Sequence, residues 1–99
     1  MYIYIWRFHV KEDNKKEFEN LYGSCGTWVK LFEKDPTYIK TRLLHNIQDS
    51  NHYITIDYWA TKEAYKLFCA NNKKEFNEID KQGEKLTEKE EFLGEFFEK

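Results

Sequence analysis

Cysteine and proline are scarce in this chain of 99 residues, which contains two cysteines, one proline and four glycines. The two thiols, Cys25 and Cys69, form no CxxC pair and belong to no cluster of cysteine and histidine at metal-ligand spacing. We therefore expect no metal site. Each cysteine falls on an apolar helical stripe, so both are expected to be buried, reduced thiols.

The chain also lacks an excess of positive charge and any long hydrophobic run. Lys and Arg total 16 against 18 Asp and Glu, for a net charge of -2. Proteins that bind nucleic acid or anionic membranes usually carry a basic surface, so we expect neither partner. No apolar run approaches the roughly 20 residues that span a bilayer. The first ten residues have no basic flank or cleavage site of a targeting segment, and we expect a cytoplasmic protein.

Aromatic residues are abundant instead, with 8 Phe, 7 Tyr and 3 Trp making up 18% of the chain. Each ring can bury on the order of 150–250 Å². The length is that of one ordinary domain, so residues 1–99 are expected to form a single folding unit. The rings could fill its core, or several of them could line a cavity or a subunit contact. Composition alone leaves both open.

Alternating and helical hydrophobic spacings divide the first part of the chain into strands and a helical region. Residues 11–34 are predicted to be helical, with Asp13 as the N-cap, a first helix that ends near Tyr22 and a short second turn around 27–32. The strands of the whole chain are predicted at residues 2–10, 38–46, 52–59 and 89–97.

A second helical region is predicted between the third and fourth strands. Thr61 is expected to cap it, Asn71-Asn72 to break it and Gly83 to end it. In the last strand, Gly94 stands where a β-bulge would be tolerated.

The resulting order β-α-β-β-α-β is that of the ferredoxin-like fold, an α+β architecture with an antiparallel sheet and helices on one face. The first and third strands then lie in the middle of the sheet. Both faces of the strands are apolar: in the third strand Ile54 and Ile56 point one way and Tyr53 and Trp59 the other. Because the chain has no spare helix to cover the second face, a second copy of the sheet is the simplest cover. We expect a homodimer.

Four segments carry a family resemblance: WRFHV, KEFENLYGSCGTWVKLF, TRLLHN and IDYWATKEAYKLF. With them the chain resembles the antibiotic biosynthesis monooxygenase-like branch of the dimeric α/β-barrel superfamily. The resemblance implies that two sheets pair into a barrel and that each subunit has a ligand cavity between sheet and helices. It implies activities from cofactor-free oxygenation of polycyclic phenols to haem degradation. Trp59 is expected to act as a structural plug between sheet and helix.

Haem degradation fits this sequence poorly. The haem-degrading relatives need an axial histidine on the second helical region, a tryptophan on the preceding helix and an asparagine on the first strand. All three histidines, His9, His45 and His52, precede the second helical region. Phe68 occupies the tryptophan position, and the first strand contains no asparagine. We therefore expect neither haem-degrading activity nor a cofactor.

Cofactor-free oxygenation needs a base, hydrogen-bond donors for a developing oxyanion and a cavity that excludes water. The candidate catalytic residues are Arg7, His9 and Asp57. The candidate ligand-binding residues are Tyr4, Trp6, Trp28, Tyr53, Tyr65 and Phe68. Plainer roles stay open: an ion pair between Arg7 and Asp57, a solvated His9 at a strand end, and rings that only pack the core.

Two functions follow from this sequence. The first is a homodimeric, cofactor-independent monooxygenase that acts on a phenolic or polycyclic small molecule in an aromatic-lined pocket. The alternative is a non-catalytic dimer with a ligand-binding or structural role. A cavity approaching about 300 Å³, with one of the three candidate catalytic residues inside it, would favour the enzyme.

Overall fold

The computed structural model describes residues 1–99 and contains four strands, four α-helices and one 3₁₀ turn. The elements are β1 (Tyr2–Val10), the 3₁₀ turn (Glu12–Asn14), α1 (Lys15–Tyr22), α2 (Thr27–Phe32), β2 (Tyr38–His45), β3 (His52–Trp59), α3 (Lys62–Asn71), α4 (Lys73–Leu86) and β4 (Thr87–Phe97). The strands form one antiparallel sheet in the order β2-β3-β1-β4. The ferredoxin-like fold is therefore confirmed, with β1 and β3 at its centre.

The core lies between the sheet and the helices. Successive strand residues point to opposite faces, and the buried set of β3 alternates accordingly, with Tyr53 and Trp59 at its two ends. The Trp59 ring packs 5.1 Å from the Phe68 ring and 5.4 Å from the Phe32 ring, centroid to centroid. Trp59 is completely buried, so its expected role as a plug is confirmed.

Most predicted helix boundaries agree with the structure, and two do not. Thr61 caps α3, since its hydroxyl accepts a hydrogen bond from the Ala64 amide at 3.1 Å. Asp13 is not an N-cap, because it lies inside the 3₁₀ turn that delays the start of α1. Gly83 does not end a helix: α4 continues to Leu86, and Gly83 instead makes room for the hydroxyl of Tyr22.

The expected burial of both cysteines is wrong for one of them. Cys25 is exposed, because it lies in the loop between Gly23 and Gly26, where the helical stripe is interrupted. Cys69 is partly buried on α3, and burial raises the pKa of its thiol. No disulfide joins the two residues.

The face of the sheet that points away from the helices is uncovered; it is apolar at its centre and carries charged side chains such as Arg7 and Arg42 around it. Its centre is formed by partly buried side chains of β1 and β3: Ile3, Ile5, Ile54, Ile56 and Tyr58. Leu44 on β2 and Phe96 on β4 extend it and are about half exposed. We call these seven residues the outer face. None of the helices is long and apolar enough to cross a membrane.

Candidate functional site

A cavity of about 270 Å³ lies between the sheet and the helices. Its wall consists of eight aromatic side chains, two threonines and three carboxylic acids. The aromatic part comes from five elements: Tyr4, Trp6 and Phe8 on β1, Tyr22 on α1, Trp28 and Phe32 on α2, Tyr65 on α3 and Phe76 on α4. The volume is close to the lower end of the range for small-molecule sites.

The inner end of the cavity holds a buried carboxyl group. Asp57 on β3 lies opposite Tyr4 on β1 and Thr41 on β2. The Thr41 hydroxyl donates a hydrogen bond to Asp57 Oδ1 and accepts one from the Tyr38 hydroxyl at 2.8 Å. Burial raises the pKa of Asp57 to about 7, and the Thr41 hydrogen bond only partly offsets this rise. Near neutral pH this carboxyl can therefore accept a proton and also return one.

Two tyrosines stand beside Asp57. The rings of Tyr4 and Tyr65 lie 4.7 Å apart, and both residues line the cavity. Burial is the main reason that the pKa of each hydroxyl lies well above its ordinary value, and the charge of Asp57 raises both further. Both hydroxyls keep their protons at neutral pH, and they interact with one another, which raises the pKa of Tyr4 further and partly offsets the rise at Tyr65.

The outer end of the cavity is acidic. Asp80 on α4 and Glu90 on β4 are partly exposed and line the cavity there. Burial raises the pKa of each carboxyl, and the charge of Glu84 raises both further. The charge of Asp80 also raises the pKa of Glu90. Neither Asp80 nor Glu90 forms a salt bridge. No basic side chain of the protein therefore lies within salt-bridge distance of either carboxyl.

One donor in the cavity wall makes no hydrogen bond of ordinary geometry within the protein. It is the buried indole nitrogen of Trp28, Nε1, whose interaction with the Tyr22 hydroxyl only partly offsets the rise that burial causes in the pKa of Tyr22. Trp28 itself is 7% exposed, and its ring packs against the rings of Tyr22 and Phe76. Buried polar groups are usually hydrogen-bonded, so an orphaned donor in a cavity wall is a feature that a ligand acceptor would satisfy.

The structure brings five of the sequence-predicted site residues together in this cavity: Tyr4, Trp6, Trp28, Asp57 and Tyr65. Two others are buried elsewhere. The Tyr53 hydroxyl donates a hydrogen bond to Glu19 Oε2 at 2.5 Å, and Phe68 packs against Trp59.

Arg7 and His9 lie on the opposite face of the sheet. Arg7 Nη2 is 2.6 Å from Glu91 Oε2, and His9 Nε2 is 3.6 Å from Glu88 Oε2. The expected ion pair between Arg7 and Asp57 is wrong, because Arg7 is opposite Ile54 in the sheet and points away from the face that carries Asp57. The structure thus separates two of the candidate catalytic residues from the third.

Sequence reasoning missed eight lining residues: Phe8, Tyr22, Phe32, Thr41, Thr55, Phe76, Asp80 and Glu90. Some of them left a signal. Thr55 and Asp57 are two residues apart on β3, and Phe76 and Asp80 are four residues apart on α4, so the members of each pair lie on the same face of their element. Glu90 could not be placed, because the bulge near Gly94 shifts the register of β4 on β1.

Comparison with known proteins agrees with this architecture. The sequence profile of the antibiotic biosynthesis monooxygenase family matches residues 1–78. SnoaB, a cofactor-independent oxygenase from Streptomyces nogalater, is 21% identical, with 99% of this chain and 92% of SnoaB covered and a TM-score of 0.82. A conserved protein from Methanosarcina mazei Go1 is 16% identical, with 100% and 94% covered and a TM-score of 0.74. No curated protein matches the chain. At these identities the two structures show a shared fold.

Proposed function

The chain belongs to the antibiotic biosynthesis monooxygenase family, and from this premise we propose that it is a cofactor-independent monooxygenase acting on a phenolic or polycyclic small molecule. The observation that carries the proposal is a buried carboxyl, Asp57, whose pKa is about 7 and which lines an aromatic cavity. The single domain of residues 1–99 would hold the whole site.

Asp57 would act as the general base. A phenol, or a ring methylene whose carbanion is conjugated with a carbonyl group as in an anthrone, is acidic enough to lose a proton to a well-placed base. A base works best when its pKa lies near the working pH, which is the condition that burial creates at Asp57. The proposed step does not use Arg7 or His9, neither of which lines the cavity.

The substrate would supply the electrons for the reaction. Its carbanion passes one electron to dioxygen, and the two radicals combine to a peroxide that takes the proton back from Asp57. Loss of water leaves a carbonyl group, so the overall change is CH₂ + O₂ → C=O + H₂O. The hydroxyls of Tyr4 and Tyr65 would stabilise the negative oxygen that forms.

We also propose that the working unit is a homodimer. All helices pack on one face of the sheet, which leaves the apolar outer face uncovered. An extended apolar face on a small protein marks an interaction surface. A second copy would cover it by sheet-to-sheet packing and would leave both cavities, which lie on the helix side, intact.

Oxygen uptake with a panel of anthrone-like and catechol-like compounds tests the enzymatic proposal. We expect consumption with at least one compound and transfer of one atom of ¹⁸O₂ to the product. The variant Asp57→Asn should reduce kcat/KM about 100-fold or more, since general-base catalysis contributes roughly that much. Asp13→Asn, which changes an exposed carboxyl that does not line the cavity, is the matched control and should leave the rate unchanged.

Two outcomes would contradict the proposal at different levels. If the wild-type protein consumes no oxygen with any compound, the non-catalytic alternative is favoured. If the wild type is active and Asp57→Asn is equally active, the role of Asp57 is wrong although the activity stands.

A further inference from the structure

The cavity wall combines only three kinds of side chain. Eight are aromatic, two are threonines and three are the carboxylic acids Asp57, Asp80 and Glu90. No lysine, arginine or histidine lines it. An anionic ligand would meet three acids and no positive partner, so the charge distribution of the wall disfavours a carboxylate or a phosphate.

The two outer acids are uncompensated as well as close together. Every salt bridge of the protein lies elsewhere, on pairs such as Arg7–Glu91 and Lys62–Glu95. The Thr87 hydroxyl approaches Glu90 Oε1 only at 3.4 Å. The charges of Asp80 and Glu84 both raise the pKa of Glu90, so like charges repel one another at this end of the cavity, and a bound cation would relieve this repulsion.

Aromatic faces accompany these acids. The rings of Trp28 and Phe76 lie 4.8 Å apart in an edge-to-face arrangement, and the Trp28 and Tyr22 rings are 6.2 Å apart. Phe76 and Asp80 are one helical turn apart on α4 and share its inner face. Aromatic faces attract cations through their quadrupole, and rings combined with carboxylates are the chemistry that recognises ammonium groups.

We propose that the cavity selects a cationic aromatic ligand: a ring system that reaches Asp57 at the inner end and a protonated or quaternary amine held between Asp80 and Glu90 at the outer end. This inference rests on the proposed function where it names the substrate class. The preference for positive charge concerns binding alone.

The same charge distribution bears on the proposed reaction. Transfer of a proton to Asp57 leaves the substrate with a negative charge in a cavity whose outer end already carries two carboxyl groups. Hydroxyl groups can donate hydrogen bonds to that charge, but no side chain of the wall provides a full positive charge. An ammonium group on the substrate itself would supply this positive charge. The deprotonated substrate would then carry no net charge.

Calorimetric titration with three probes of one ring system tests the inference without any turnover. The probes are (2-naphthylmethyl)trimethylammonium, 2-naphthylmethanol and 2-naphthylacetate, which differ in charge and share the naphthalene ring. We expect the ammonium probe to bind about tenfold or more tightly than the neutral alcohol, and the acetate to bind more weakly than the alcohol.

The double variant Asp80→Asn/Glu90→Gln locates the preference. The Kd of the ammonium probe should rise about tenfold, while the Kd of the alcohol should stay the same. The control variant Asp13→Asn/Glu78→Gln removes the same charge from exposed positions and should change neither value.

The inference is overturned if the acetate binds as tightly as the ammonium probe, if none of the probes binds, or if the preference survives in the Asp80→Asn/Glu90→Gln variant. Failure of the proposed function is a separate result. If the protein consumes no oxygen but still prefers the ammonium probe, only the proposed monooxygenase activity is contradicted. If the protein is active but shows no such preference, only the proposed selectivity for a cationic ligand is contradicted.

Discussion

At the scale of the residue, Asp57 is the side chain on which the proposed function of the cavity depends. The fold removes its carboxyl from water and leaves it with one hydrogen bond, from Thr41. Its pKa rises from an ordinary value of 3.8 to about 7, which means that the folded protein binds this proton more tightly than the unfolded chain does. Stability is therefore highest below about pH 4 with respect to this group and falls as the pH rises towards 7.

The variant Asp57→Asn should reverse that loss. An amide has no charge to desolvate, so the variant and the wild type should be nearly equally stable at pH 4. The advantage of the variant should grow as the pH rises to 7 and then level off, at most on the order of 4 kcal/mol for a shift of about three pKa units. Urea unfolding of both proteins between pH 4 and 8 measures it. A difference that does not change with pH would contradict the pKa assigned to Asp57.

The sequence identified Asp57 as a candidate but could not separate it from Arg7. Alternation along β3 places Asp57 on the face of Tyr53 and Trp59, and that much follows from strand geometry. The pairing register and the identity of the buried face do not follow, because both faces of the strands are apolar. A shift of one residue would have moved Arg7 to the inner face, so only the structure could decide which polar side chains meet.

At the scale of the element, the packing of α4 against α1 depends on one glycine. A Cβ atom built on Gly83 would lie 2.2 Å from the hydroxyl oxygen and 3.1 Å from the Cζ of Tyr22. Tyr22 is buried, and its ring is stacked 4.4 Å from the Phe18 ring, so moving it aside would break this stacking and push the ring into the cavity that it lines. The close approach of the two helices therefore requires a residue without a side chain.

The variant Gly83→Ala should destabilise the protein even though alanine is the better helix former. The gain in helix propensity is about 1 kcal/mol, whereas overpacking of a buried site typically costs about 1–3 kcal/mol. We expect a lower urea midpoint than for the wild type. Lys81→Ala, an exposed change on the same helix, serves as the control and should leave the midpoint nearly unchanged. A higher midpoint for Gly83→Ala would show that Tyr22 can move away.

Local patterns predicted the elements well and their ends less well. The break between α1 and α2 and the Thr61 cap follow from glycine and capping chemistry, which act over a few residues. Gly83 was expected to end a helix for the same local reason. Its true role depends on Tyr22, a residue distant in sequence, and no local signal reports such a contact.

At the scale of the whole molecule, the order of the elements was enough to predict the fold. Four strands and two helical regions in the order β-α-β-β-α-β can form only a few sheet topologies once crossing connections are excluded. The cavity could not be predicted in the same way. Rings that fill a core and rings that line a cavity have the same spacing, so the existence of about 270 Å³ of space is a result of the packing alone.

The uncovered outer face predicts that the protein is a dimer. We expect the protein to sediment at micromolar concentration with twice the 12.2 kDa mass of the chain. A lysine at the centre of the face, in Ile56→Lys, should convert it to a folded monomer, because burying an unpaired charge in the interface is costly. Leu67→Lys, on the exposed side of α3, should remain dimeric. A wild-type mass near that of one chain would refute the dimer.

The central claim is that the cavity holds a carboxyl poised to exchange a proton near neutral pH. The most direct measurement is the titration of the protein labelled with ¹³C in its aspartate carboxyl groups, followed by NMR, with Asp57→Asn used to assign the Asp57 signal. We expect that signal to titrate with a pKa of about 7. A midpoint near the ordinary aspartate value, about 4, would contradict the claim and would remove the base from the proposed reaction.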